Sequence, residues 1–167
     1  MEIYLIRHAI AMNREEWTKS DDLRPLTEKG QQKMEKIAAG LAAMEIDFTH
    51  LFTSPLVRAK QTAEIVQKIL QIEAMEETDL LVPSADPAAM IPFLNKLPDN
   101  AEVALVGHEP HVSALLSYLL SGQHKNFATF KKGGVAMLEG TTPLRAGHLI
   151  LRWLLEPNHL VAIGETE

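Results

Sequence analysis

Arg7 and His8 stand together at the end of the apolar run Ile3-Tyr4-Leu5-Ile6. A guanidinium stays charged at any working pH and grips two phosphate oxygens at once, while an imidazole can serve as nucleophile or base. The pair therefore reads as an anion site beside a reactive nitrogen. The same residue types recur downstream: Arg58 follows the apolar run 48–52, and His108 follows Val103-Ala104-Leu105-Val106. If these three junctions meet at one edge of one sheet, two arginines and two histidines surround a volume suited to a tetrahedral dianion. Arg7 and Arg58 then hold and polarise a phosphoryl group. One histidine, kept neutral by the cations, attacks phosphorus in line, and the other donates hydrogen bonds to the equatorial oxygens. Residue type and spacing leave open which histidine attacks.

The elements that must position these groups are readable in outline. The β-branched and aromatic run at residues 3–6 is too short for a helix and predicts a buried strand with Arg7 and His8 at its carboxyl end, the edge where open α/β sheets bind ligands. A polar loop, residues 13–24, carries Trp17 and is expected to fold over that edge. Thr27 is a good N-cap for a helix whose Met34, Ile37, Ala38, Leu41 and Met44 follow the helical repeat. Residues 48–52 predict a second strand, with Ser54 capping and Pro55 in the first turn of a helix reaching about Leu70. On that helix Ala59, Thr62, Ala63, Val66 and Ile69 face the core, and Arg58 falls one position off the stripe.

Residues 72–82 are ambiguous, a short strand followed by a loop with Glu76, Glu77 and Asp79. Asp86-Pro87 starts a short helix through Leu94 that ends near Pro98. The strand at 103–106 stops at Gly107-His108-Glu109-Pro110, and Pro110 opens a helix bearing Leu115, Leu116, Leu119 and Leu120. Residues 134–139 and 148–155 read as a hairpin. Alternating strands and helices followed by a hairpin imply a three-layer α/β/α domain, its sheet mostly parallel with an antiparallel edge.

At 167 residues a single domain, 1–167, is expected, able to bury a core without metal or disulfide. The absence of cysteine excludes thiol catalysis and thiolate metal sites and is compatible with a reducing compartment. Without a leader pattern or a membrane-length apolar stretch, the chain is expected to be cytoplasmic and free of membrane partners. A net charge of −6 argues against nucleic acid as a partner.

Four segments, Leu5-Ile6-Arg7-His8, Leu26-Thr27-Glu28-Lys29-Gly30, Ser54 to Ala63 and Val106-Gly107-His108-Glu109-Pro110, resemble the histidine phosphatase, or phosphoglycerate-mutase-like, superfamily. Small size and the segments Arg24-Pro25-Leu26-Thr27 and Gly107-His108-Glu109-Pro110 look most like its SixA-type phosphohistidine phosphatases. The resemblance implies the phosphoglycerate-mutase-like fold, His8 as the phosphorylated nucleophile, and Arg7, Arg58 and His108 completing the phosphate pocket. It implies no cofactor, and a phosphorylated protein, such as a histidine phosphotransfer domain, as partner to a monomeric enzyme. Ala9 stands where many members have glycine.

Other residues are weighed against simpler roles. Asn13 and Arg24 can reach substrate from the first loop, and His111, one turn from His108, can line the pocket. Glu109 is a candidate substrate contact or general acid, with Glu76 and Glu77 as further acid candidates whose simpler role is solvated carboxylate. Zinc held by His8, His108 and Glu109 is disfavoured by the arginines, so no metal is expected. A broader small-molecule phosphomonoesterase or mutase, and a phospho-binding module without turnover, are the alternatives.

Overall fold

The computed structural model describes residues 1–166. Strands β1 (Glu2–Arg7), β2 (His50–Thr53), β3 (Met75–Glu77), β4 (Glu102–Gly107), β5 (Val135–Glu139) and β6 (Ile150–Leu155) form one sheet in the order β3-β2-β4-β1-β5-β6. The first four run parallel, β5 runs against them, and the edge strand β6, antiparallel to β5, runs in their direction again.

Because side chains alternate along a strand, the apolar run of β1 serves two cores at once. Tyr4 and Ile6 pack with Met34, Ile37 and Leu41 of helix α1 (Glu28–Ala43) and Ala63 and Val66 of α2 (Val57–Leu70). Ile3 and Leu5 pack on the other face with Met90 and Leu94 of α3 (Met90–Leu94) and Leu115 and Leu119 of α4 (His111–Ser121). The sheet therefore lies between two helical layers, the three-layer α/β/α arrangement expected from the sequence. A further helix, α5 (Pro157–Gly164), packs on α1.

Local chemistry explains most boundaries. Thr27 Oγ1 accepts the N–H of Gly30 at 2.9 Å, capping α1. Asp86 caps the short turn Pro87–Ala89 that leads into α3, which stops at Leu94 instead of continuing towards Pro98. The second strand begins at His50. The second helix also starts later than expected: its N-cap is Leu56, and Ser54 Oγ accepts the N–H of Leu56 in the turn before it. Arg58 is correspondingly not off the buried stripe. It shares a row with Thr62 and Val66 at four-residue spacing and is buried with them.

Candidate active site

Parallel pairing brings the three junctions to one edge. Arg7 is in register with Gly107, and Thr53 with Val106, so His8, Ser54 and His108 leave adjacent strands side by side. The amide of His8 donates to Gly107 O (2.9 Å) and that of Ser54 to Val106 O (3.0 Å). β4 is the middle strand of the three, which sets His108 between Ser54 and His8. The two imidazole rings lie 5.1 Å apart, centroid to centroid.

A cleft of about 820 Å³ opens over this edge. Arg7, His8, Arg58 and His108 line it, together with Asn13, Arg14 and Arg24 from the first loop, Pro83, Glu109 and Lys132. His111 does not. It lies on the buried side of α4, fully enclosed and with neither ring nitrogen hydrogen-bonded. Sequence places it one turn after His108 as a pocket residue, but its burial in α4 keeps it out of the cleft lining. Glu76 and Glu77 are exposed on β3, away from the cleft, where Glu77 pairs with Lys60.

Each side chain has an identifiable support. His8 Nδ1 lies 2.7 Å from Ala9 O; a carbonyl can only accept, so Nδ1 carries the proton and Nε2 keeps its lone pair. The Ala9 amide is in turn fixed by Thr62 Oγ1 at 3.0 Å. His108 Nε2 lies 2.8 Å from Ser54 Oγ. Arg7 Nη1 donates to Phe130 O, and Glu109 Oε1 accepts both the Phe130 N–H (3.3 Å) and the Ser113 hydroxyl (2.6 Å). Glu109 is thus tied, through the single residue Phe130, to the seat of Arg7.

The chain reaches this seat through Gly133, whose N–H lies within reach of both Arg7 O (3.1 Å) and His8 O (3.2 Å) at φ +84°. That left-handed conformation suits only glycine readily.

On the other side, Arg58 Nη1 donates to Asp21 O (3.0 Å), and its Nη2 pairs with Asp21 Oδ2 (3.2 Å). Arg24 Nε meets Asp21 Oδ1 at 2.9 Å and its Nη1 donates to Met12 O. Asn13 Oδ1 accepts the Glu15 N–H, closing a small turn at the rim.

Burial and the arginines set the charge state of the imidazoles. Burial pushes His8 down to about 3; its bond to Ala9 O acts in the opposite direction, and Arg58, Arg7 and Arg24 add to the depression. His108 is pushed down to about 2, again first by burial, then by His8 and Arg58. Both rings are neutral near pH 7. The arginines are lowered from their usual value by burial, offset at Arg58 by Asp21 and at Arg7 by Glu109.

Among the described residues that line the cleft, three buried side-chain nitrogens lack any hydrogen-bond partner: Arg7 Nε, Arg58 Nε and His108 Nδ1. Buried polar atoms are nearly always paired, and three unpaired ones on side chains that share a cleft suit an acceptor-rich group. Among the described residues, no cluster of three or more His, Asp or Glu side chains is placed to hold a metal ion.

Sequence reasoning missed Asp21, Ser54 as the partner of His108, and Phe130. The spacing of Asp21 three residues before Arg24 was a usable signal for an ion pair. The Phe130 carbonyl has no signature in sequence at all.

Comparison with known proteins agrees with this arrangement. A model of the histidine phosphatase superfamily (branch 1) matches residues 3–81. An uncharacterized Picosynechococcus protein is 33% identical over 138 residues, covering 81% of this chain and 82% of its own. Phosphohistidine phosphatase SixA of Escherichia coli is 26% identical over 163 residues, 96% of each chain. The structure of protein histidine phosphatase SixA complexed with tungstate superposes with a TM-score of 0.85 at 26% identity, over 96% of this chain and 99% of that one. With its two histidines and two arginines gathered at one sheet edge, this chain belongs to the histidine phosphatase superfamily.

Proposed function

We propose that this protein is a phosphohistidine phosphatase that removes phosphate from a protein side chain through a phosphoryl-His8 intermediate. The observation that carries the reading is the set of three unpartnered buried donors, Arg7 Nε, Arg58 Nε and His108 Nδ1, around a neutral His8 whose Nε2 is free.

The steps follow from those atoms. His8 Nε2 attacks phosphorus in line, forming an N–P bond as the bond to the substrate imidazole breaks; that imidazole leaves with the electron pair and takes a proton from solvent. Arg7 and Arg58 hold the equatorial oxygens, where bidentate guanidinium contacts are strongest. With the Ser54 hydroxyl donating to His108 Nε2, the proton of His108 resides on Nδ1 and is directed at the same oxygens. Water then attacks the phosphoryl group, a P–O bond replaces the His8 N–P bond, and inorganic phosphate departs with one proton released.

Leaving-group chemistry supports phosphohistidine over an alkyl ester. An alkoxide needs a carboxylic acid to protonate it, whereas imidazole is a far weaker base and leaves with little help. Among the described residues Glu109 is the one carboxylate lining the cleft, and one of its oxygens is already engaged by Ser113 and Phe130. SixA of Escherichia coli, a relative whose match spans nearly the whole chain, is named a phosphohistidine phosphatase. A single domain, a monomer, independence of metal and a cytoplasmic location belong to the same proposal. Among the described residues no helix is long and apolar enough to cross a membrane.

The test offers a phosphohistidine-bearing protein and an aryl phosphate monoester side by side, with His8→Ala as control. We expect phosphate release from phosphohistidine, transient labelling of His8 and none of either in the variant. Strong preference for the ester assigns a general phosphomonoesterase instead, and binding without labelling assigns a non-turnover module.

A further inference from the structure

The cleft's two arginines are held differently. Arg7 is held by a backbone carbonyl from the chain before β5, whereas Arg58 is held by a carboxylate from the loop on the opposite rim. That carboxylate, Asp21, belongs to the short turn Asp21–Leu23. The base of its loop is fixed by the Ala11–Leu26 bridge and by Met12 N donating to Pro25 O at 2.9 Å. Its far part, residues 13–23, is mostly exposed. Asp21 is where that exposed part reaches helix α2.

The contact is extensive for one residue. Asp21 Oδ2 takes Arg58 Nη2, its backbone carbonyl takes Arg58 Nη1, and Oδ1 takes Arg24 Nε at 2.9 Å and faces Arg14 Nε at 3.4 Å. Three guanidiniums thus converge on one carboxylate. Unopposed, like charges this close repel, and a buried Arg58 beside Arg24 would swing towards solvent. Contacts to residue 21 use one N–H on each terminal nitrogen of Arg58; the second N–H of each and the unpartnered Nε–H remain.

We propose that Asp21 is a positioning residue for the phosphate pocket: by holding both Arg58 terminal nitrogens it fixes the guanidinium with its free donors facing the bound anion, and it ties the first loop to the site. It does not touch the phosphoryl group, since it is not among the residues lining the cleft. It is equally unsuited to be the proton donor. Burial raises its carboxyl, but the Arg24 hydrogen bond and the charges of Arg58, Arg24 and Arg14 outweigh this and hold it below the usual carboxylate range.

The role has a geometric corollary. Asp21 binds Arg58 through a carboxylate oxygen and a main-chain oxygen together, so Asp21→Asn keeps the second contact and Asp21→Glu keeps the charge. The two variants separate charge from mere occupancy. The carboxylate is partly exposed in a surface turn, so neither change disturbs the core.

The proposal rests on the reading of the cleft as a phosphoryl pocket, and inorganic tungstate, a tetrahedral dianion, probes it independently of any substrate. Its affinity is measured by calorimetric titration on the full chain. Asp21→Asn is expected to weaken binding about 10- to 100-fold, the order associated with a lost charge-assisted hydrogen bond, and Asp21→Glu to recover most of it. Because Asp21 acts through Arg58, the Asn substitution made in an Arg58→Ala background is expected to add less than about a 2-fold further loss. Wild-type affinity in Asp21→Asn, or an equal loss whether or not Arg58 is present, overturns the positioning role alone. Failure of the wild-type chain to bind tungstate removes the pocket reading and this role with it.

Discussion

The ring Nδ1 of His8 hydrogen-bonds the carbonyl oxygen of Ala9, the next residue in its own chain, at 2.7 Å. That contact consumes the one proton of a neutral imidazole and turns the other nitrogen into a lone pair. Burial then holds His8 down to about 3 and His108 down to about 2. In the phosphate-free protein, the ring signals of both histidines should not titrate between pH 8 and pH 5 by NMR. An inflection near 6.5, the ordinary histidine value, contradicts the site as described.

The same burial makes stability depend on pH. His8, His108 and His111, the last pushed down to about 4 by burial against a weaker opposing effect of Asp86, are neutral in the fold and free to protonate once unfolded. As pH falls below about 6.5 the unfolded chain binds more protons than the native one, so unfolding free energy falls. Each group contributes a slope of up to about 1.4 kcal/mol per pH unit. For His111 the loss levels off below about 4. Urea unfolding at pH 7, 6 and 5 should show His111→Leu with a shallower slope than wild type, by close to one proton.

Truncating the anion donors should be costly in catalysis and mild in folding. Arg58→Ala is expected to reduce kcat/KM by about 10²- to 10³-fold, the usual loss for one charged donor at a transition state. His8→Ala should abolish turnover and labelling together. Steady-state kinetics and acid-quench labelling with a phosphoryl donor check both, and an unimpaired His8→Ala protein excludes His8 as nucleophile.

Glu109 separates support from proton donation. If its work is to accept from Phe130 N and Ser113 Oγ, the amide oxygen of Glu109→Gln can do the same. Turnover of phosphohistidine should then change less than about 3-fold in Glu109→Gln and fall about 10-fold or more in Glu109→Ala, through loss of the Phe130 seat beneath Arg7. Equal, large losses in both variants would assign the carboxyl a chemical role.

A backbone contact in the first layer predicts a stability effect remote from the chemistry. A Cβ added at Gly30 would lie 2.0 Å from the carbonyl oxygen of Ile10, which also accepts the Thr27 N–H at 3.0 Å. Neither atom is at the end of a flexible side chain, so Gly30→Ala forces α1 away from the first loop. A loss of about 2–3 kcal/mol in chemical denaturation is expected.

Much of the fold can be read from short-range physics. The four-residue core of β1, the Thr27 cap and the apolar strand β4 each combine pattern with boundary, and the structure places them as the residues dictate. The apolar pattern at 59, 62, 63, 66 and 69 sets Arg58 one position off the stripe, and Ser54, which reads as the cap, lies two residues before the N-cap Leu56 and bonds His108 as well as the Leu56 N–H. The 58-62-66 spacing already put the guanidinium on the buried row. Glu156 and Pro157 carry start signals for α5, but its eight residues are too few for a clear apolar period. Of the site, the charged and imidazole groups were visible because their types are rare at strand ends. Their supports were not: a main-chain carbonyl at Phe130 has no side-chain signal, and Asp21 is one of several loop acids until the fold sets it against Arg58.

β5 runs against β1, so it is the incoming end of β5 that abuts the phosphate edge, and the stretch between α4 and β5 delivers Phe130 and Lys132 there. Both histidines, by contrast, are rooted in the parallel centre. The connector ahead of β5 therefore carries two duties residue by residue: Phe130 and Gly133 are committed to holding Arg7 and His8, whereas Lys132 at the cleft is the position where the entrance can change charge without releasing either.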